Sequence, residues 1–379
     1  MKITDVKTYI VGAPARNWIY VKVLTDEGIE GIGEAYSVGP DEGTVAVIHD
    51  FKRWLIGEDP LNIEKIWQKM YYFTRFPGGS VINSAISGIE HALWDIAGKN
   101  YGVPVYMLLG GKCREKVRCY QSVGGSTPEE LAENAKHLVR EYGYTALKFD
   151  PIPNSTRRPF NLVVKEAVER TRALREALGY EVDIALDVHA KIFEPSNAVK
   201  IAKAVEKFAP LFLEEPVRPE DIDALASVTS KVQVPIASGE ELYTKFEFAP
   251  LIERRAVDIV QPDVCCAGGI LECKKIAAMA EAHYTSVAPH NPMSPLATAI
   301  NVHLCVSIPN FLILEQRLPD LSLWKDVLKE PLMPKDGYYE PPVKSGFGVE
   351  LNEDVFERFP PRSWHRKFRY NEDGSVALI

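Results

Sequence analysis

Short apolar runs that each end in an ionisable residue, repeated at one interval, most limit what this chain can fold into. Ile184-Ala185-Leu186 leads into Asp187-Val188-His189, Leu211-Phe212-Leu213 into Glu214-Glu215-Pro216, and Ile236-Ala237-Ser238-Gly239 into Glu240-Glu241. Asp187, Glu214 and Glu240 follow one another at intervals of 27 and 26 residues. One strand, one helix and two loops fill such an interval, which is the unit of a β/α barrel. Residues two apart on a strand share a side, so Asp187 and His189 are expected to project together. Three acids at the same end of three successive parallel strands converge on one point, where a cation makes their charges tolerable.

The same grammar runs from about residue 117 onward. Strand-like runs lie near 118–123, 145–149, 182–188, 210–214, 234–238, 257–261, 285–289 and 311–315, with helical periodicity between them, for example over 128–141, 162–178, 196–208 and 268–282. Eight such strands make one barrel. The segment before it reads differently. Strands at 2–11, 18–25 and 29–36, with the turn Asp26-Glu27-Gly28, precede helical patterns at 42–55, 61–74 and 80–100. Strands followed by helices describe an α+β domain. The expected organisation is an α+β capping domain over 1–112, a barrel over 113–320, and a C-terminal segment over 321–379 that returns to the capping domain.

Composition narrows the partners. A net charge of −8, with no basic stripe interleaved with aromatics, argues against nucleic acid. No apolar run is long enough to span a bilayer, and no signal-peptide core opens the chain. The six cysteines form no Cys-x-x-Cys pair, so reduced thiols in a cytoplasm are the expectation.

In a barrel, chemistry gathers at the C-terminal ends of the strands. Those ends carry, in order from the second strand, Lys148, Asp187 with His189, Glu214, Glu240, Asp263, His290 and Glu315. Taken singly, each has an ordinary explanation as a helix cap or a solvated charge. Taken together, they face one cavity. Asp187, Glu214 and Glu240 are hard oxygen donors that suit Mg²⁺. A cation there acidifies the hydrogen α to a bound carboxylate and stabilises the enediolate that follows. His290 is the candidate base and Asp263, 27 residues earlier, the group that orients its ring. Glu315, if protonated, could share a hydrogen bond with the enediolate oxygen.

Leu93-Trp94-Asp95-Ile96-Ala97-Gly98-Lys99, Leu108 through Lys112, Asp187-Val188-His189, Phe212-Leu213-Glu214-Glu215-Pro216, Ser238-Gly239-Glu240, Gln261-Pro262-Asp263 and Ala288-Pro289-His290 together resemble the enolase superfamily, in its mandelate-racemase-like branch. The resemblance covers nearly the whole chain. It implies a modified (β/α)7β TIM-like barrel under an α+β N-terminal capping domain, Mg²⁺ on Asp187, Glu214 and Glu240, an Asp263–His290 dyad, and Glu315 as partner of the enediolate. Racemases of the branch carry Lys-x-Lys after the second strand; this chain carries Lys148-Phe149-Asp150. Its Asp187-x-His189 resembles instead the sugar-acid dehydratases of the branch, galactonate and gluconate types among them, in which that histidine protonates the departing 3-hydroxyl. The implied reaction converts an aldonic acid (galactonate, gluconate or a pentonate such as arabinonate) to a 2-keto-3-deoxy acid. A sugar-acid racemase or epimerase and a non-catalytic binding protein are the competing readings. The cap loops 13–18 and 72–80 are expected to meet the polyol, with Arg16, Trp18, Tyr36, Arg75 and Asp150 as candidate substrate contacts. A homo-oligomer, dimer to octamer, is also expected.

Overall fold

The computed structural model describes residues 1–153, 158–317, 321–330, 332–363, 370–371 and 373–377. Three strands open the chain, β1 (Ile3–Gly12), β2 (Asn17–Thr25) and β3 (Glu30–Ala35). They pair antiparallel in the order β1-β2-β3. The helices α1 (Asp41–Leu55), α2 (Ile63–Phe73) and α3 (Ser80–Tyr101) follow. Ile19, Val21 and Val23 of β2 pack with Ile48, Trp67, Ile89 and Leu93 of these helices in one core. The alternate residues Trp18 and Tyr20 pack in a different one, as the two faces of a strand require. β3 lies directly on α3: a Cβ at Gly33 would stand 2.1 Å from the Gly88 carbonyl oxygen, so no other residue fits there without movement.

The short helix α4 (Val105–Leu108) leads into the second unit. Here strand and helix alternate: β4 (Val117–Ser122), α5 (Pro128–Tyr142), β5 (Ala146–Phe149), α6 (Phe160–Leu178), β6 (Asp183–Asp187), α7 (Pro195–Val205), β7 (Leu213–Glu214), α8 (Ile222–Thr229), β8 (Ile236–Ser238), α9 (Thr244–Glu253), β9 (Ile259–Val260), α10 (Ile270–Ala282), β10 (Ser286–Val287), α11 (Pro295–Ser307) and β11 (Leu314–Gln316). β4 through β10 pair in sequence order and β11 pairs with β4, all parallel. A parallel bridge between Val287 and Phe311 joins β10 to the chain entering β11 and closes the ring. Eight strands with seven connecting helices form the (β/α)7β barrel that the sequence leads one to expect.

The strand pleat explains where the charges go. Tyr120, Ala146, Ala185, Phe212, Ala237, Ile259, Ala288 and Ile313, one from each strand or its margin, cluster as the plug of the barrel. Their neighbours Leu147, Ile184, Leu186, Leu213, Ile236, Val260, Val287 and Leu314 belong to the core shared with the surrounding helices. Two residues beyond Ala146, Ala185, Phe212, Ala288 and Ile313 come Lys148, Asp187, Glu214, His290 and Glu315. A period of two thus stacks each ionisable group on an apolar layer.

Past β11 come α12 (Leu321–Val327), β12 (Tyr338–Tyr339) and α13 (Asp354–Arg358). β12 pairs antiparallel with β4 of the barrel. Beyond it the tail reaches the capping sheet: Phe356 stacks on Tyr9 at 4.2 Å between centroids, and the Gly12 amide donates to the Phe359 carbonyl. The expected boundary at 320/321 adjoins 318–320, which lie outside the described residues. Among the described residues no helix is long and apolar enough to cross a membrane.

Candidate active site

A cavity of about 490 Å³ opens at the C-terminal end of the barrel, lined by residues of both units. Lys148, Asp150, Asp187, His189, Glu240, His290 and Glu315 reach it from the barrel, and Arg16 and Tyr36 from the cap. Glu214 and Asp263 sit in its floor and wall, fully buried behind the lining.

Lys148 holds the acid side together. Its Nζ lies 2.7 Å from Glu214 Oε1, 3.0 Å from Asp187 Oδ2 and 3.1 Å from Glu315 Oε1. Burial works against the ammonium, but these three carboxylates outweigh it and raise its pKa well above that of an ordinary lysine. Burial likewise pushes the Glu214 carboxyl up, helped by the charges of Asp187, Glu240 and Glu315. One lysine does not neutralise so many acids. Among the described residues no three of these groups already surround a common point. Even so, Glu214 Oε2 is buried without a hydrogen bond, as is Glu215 Oε1. An all-oxygen donor set with unspent buried acceptors fits a hard divalent cation.

His290 and Asp263 form the expected pair. The ring Nδ1 donates to Asp263 Oδ2 at 2.8 Å, and Asp263 Oδ1 accepts from the Cys265 amide at 2.7 Å. That leaves Nε2 toward the cavity, 3.5 Å from Glu240 Oε2 and 3.8 Å from Glu315 Oε2. Burial opposes the ring's charge, but Glu240, Glu315 and Asp263 lift its pKa to about 9. Both residues leave strands whose following helices are capped by the other unit. Glu90 of α3 accepts from the Ile270 and Leu271 amides at the start of α10. Glu34 of β3 accepts from the Ser294 and Ala297 amides and the Ser294 hydroxyl at the start of α11.

The opposite wall differs from the expectation in detail. β6 stops at Asp187, and His189 adopts a left-handed backbone with φ 49°. A tight turn, rather than strand alternation, therefore brings the pair together. The His189 amide donates to Asp187 Oδ1 at 2.9 Å, and Nε2 lies 3.2 Å from Oδ2. Asp150, where racemases carry a second lysine, accepts from Lys191 Nζ at 2.6 Å. Lys191 escaped the sequence reading because it lies beyond a strand end, inside an irregular loop.

Glu315 lies among Lys148, His290 and Asn291. Burial pushes its carboxyl pKa up, but Lys148, His290 and the Asn291 amide outweigh it and lower the pKa from the usual carboxylate value. Of the cap candidates, Arg16 and Tyr36 line the cavity, and Arg16 donates to the Tyr36 hydroxyl. The Tyr36 ring faces that of His290 at 6.1 Å. Trp18 is instead buried against Trp324, because the pleat of β2 turns it to the core. Arg75 is exposed over the Phe76 ring, since its loop leaves it to full hydration. Gln121, Ser122 and Arg317 also line the cavity. Gln121 and Ser122 are uncharged, and Arg317 lies two residues past Glu315, the charge that marked the end of its strand.

Two family models match this architecture. Residues 130–355 match the enolase C-terminal domain-like model, and residues 5–110 match the mandelate racemase/muconate lactonizing enzyme N-terminal domain. The chain belongs to the mandelate racemase/muconate lactonizing enzyme family of the enolase superfamily. Within that family it is 38% identical to a D-galactonate dehydratase of Pectobacterium atrosepticum and 39% identical to one of Verminephrobacter eiseniae, each over the full length of both chains. A crystal structure of an enolase from Agrobacterium radiobacter, provisionally assigned as a galactarate dehydratase and bound to Na and L-malate, superposes with a TM-score of 0.95. It is 37% identical, with both chains fully covered.

Proposed function

We propose that this chain dehydrates a sugar acid to its 2-keto-3-deoxy acid as a magnesium-dependent, cytoplasmic homo-oligomeric hydro-lyase. The observation that carries the reading is a pair of histidines on opposite walls. His290 follows β10 and His189 follows β6, four strands apart in a ring of eight, and both line the one cavity. Elimination needs a base and an acid acting on neighbouring carbons, and two walls supply them.

Asp187, Glu214 and Glu240 are the residues that would hold the cation. Magnesium bound there supplies the charge that acidifies the proton α to a substrate carboxylate. His290 Nε2 takes the C2 proton, with Asp263 stabilising the imidazolium that forms. Lys148, an ammonium, holds the substrate carboxylate. His189 delivers a proton to the 3-hydroxyl as the C3–O bond breaks and water leaves. The resulting enol takes up a proton at C3 and becomes the ketone.

Epimerisation would need a second base facing His290. Lys148 sits among three acids and Lys191 is engaged by Asp150, so only His189 could fill that place, and the exchange experiment below separates that role from its role as the acid. The relatives named as D-galactonate and galactarate dehydratases support an acid sugar of six carbons. The free state of all six cysteines supports the cytoplasm, and the exposed Tyr72, Phe73 and Phe76 of the cap support self-association.

The test incubates the protein and Mg²⁺ with a panel of acid sugars and assays for 2-keto-3-deoxy acids. His189→Asn is expected to lower dehydration by about 10²- to 10⁴-fold while C2–H exchange in D₂O persists through His290. Exchange at C2 with no keto-deoxy product from any acid sugar would return the reading to epimerisation. Loss of both in a folded, metal-binding variant would mean that the two histidines have been assigned wrongly.

A further inference from the structure

The cavity lining includes two guanidinium groups that the reaction scheme does not use: Arg317, which is exposed, and Arg16, which is half-buried. Arg16 lies between β1 and β2, and its guanidinium lines the cavity beside Tyr36. Its hydrogen-bond partner there is the Tyr36 hydroxyl, which burial keeps as a neutral phenol. Among the described residues no carboxylate lies within ion-pairing distance of it. Lys148, by contrast, already touches the carboxylates of Glu214, Asp187 and Glu315.

Lys148 and Arg16 occupy different walls. Lys148 ends β5, next to β6 and its His189. Arg16 is joined through Tyr36 to the His290 side, since the Tyr36 ring faces that of His290 and the Tyr36 amide donates to the Cys265 carbonyl beyond β9. A substrate whose first carboxylate meets Lys148 and the cation site extends its far end into a cavity that contains the Arg16 guanidinium, which no carboxylate of the described residues touches, the charges of Glu240 and Asp263 acting on it only from farther off. A monoacid offers that group only neutral hydroxyls. A diacid offers a carboxylate, the acceptor that matches a guanidinium fork.

We infer that Arg16 binds the terminal carboxylate of the substrate, so that this chain prefers sugar diacids (aldarates) over sugar monoacids (aldonates). This rests on the sugar-acid reading above and narrows it. Removing one partner of a buried charge pair commonly costs about 10²-fold or more in binding.

The experiment compares galactarate with galactonate. On the unmodified protein with Mg²⁺, kcat/KM is expected to favour the diacid by at least about 10-fold. Arg16→Gln should cost the diacid about 100-fold and the monoacid far less, and Arg16→Lys should restore part of the difference. Calorimetry on His290→Asn, which holds both acids unreacted, should show the diacid binding more tightly, with the margin lost when Arg16→Gln is added. Equal or reversed preference in the unmodified protein, or a preference untouched by Arg16→Gln, would overturn the inference. If neither acid yields a keto-deoxy product, the dehydration reading fails, and the binding ratio still decides the role of Arg16.

Discussion

His290 shows how one residue's chemistry depends on its neighbours. In the metal-free chain, Glu240, Glu315 and Asp263 outweigh burial and raise its pKa to about 9. A ring with that pKa is an imidazolium at neutral pH and accepts no proton. Glu240 is also a proposed cation ligand, so a divalent ion removes one of the charges that sustain the shift. His290 is therefore expected to titrate at a lower pH with Mg²⁺ than with EDTA, and Glu240→Gln should lower it without metal. NMR titration of the ring resonances measures both. A pKa that stays near 9 with saturating Mg²⁺ would place the cation elsewhere.

At the scale of elements, α10 and α11 begin on carboxylates borrowed from the cap. Glu90 and Glu34 are wholly buried, and burial, despite the amides they accept from, pushes each pKa up to about 8. The folded values lie above the unfolded one, so the stability these groups contribute is fully present below about pH 4.5 and is lost as pH rises through about 8. The stability advantage of the unmodified protein over Glu90→Gln should shrink as pH rises from 5 to 9, by up to about 1.4 kcal/mol per pH unit. Urea unfolding at several pH values measures it; an advantage that stays flat from pH 5 to 9 would mean that Glu90 is ionised throughout. The same element explains Gly269, whose φ is 99° and where a Cβ would lie 2.2 Å from Glu90 Oε2.

For the whole molecule, the proposed cation site would tie stability to metal. Its acids crowd around Lys148 at the barrel mouth, and a ligand that binds only the folded chain stabilises it by mass action. Saturating Mg²⁺, at about 100 times its dissociation constant, should add roughly 2.7 kcal/mol. That appears as a higher melting temperature, reversed by EDTA and absent in Glu214→Gln. A melting temperature indifferent to Mg²⁺ would argue against a metal on these residues. The tail belongs to this scale too: β12 extends the barrel sheet at β4 while Phe356 and Phe359 meet β1, so one segment holds both units.

The sequence by itself determined the barrel, because apolar runs at intervals near 27 have few ways to bury themselves. It also brought Lys148, Asp187, Glu214, His290 and Glu315 to one end of the barrel, because the pleat lifts every second residue to one face; Asp263 joins them from the turn beyond β9. Only the tertiary structure decided what depends on neighbours distant in sequence. Asp150 turned out to be engaged by Lys191, Glu315 to lie against Lys148, and His189 to reach Asp187 through a left-handed turn. The cap loops were least legible. Arg16 enters the cavity and Arg75 does not, because no periodicity governs a loop and its side chains go where the other unit leaves room, while Trp18 already stands on β2, whose pleat buries it.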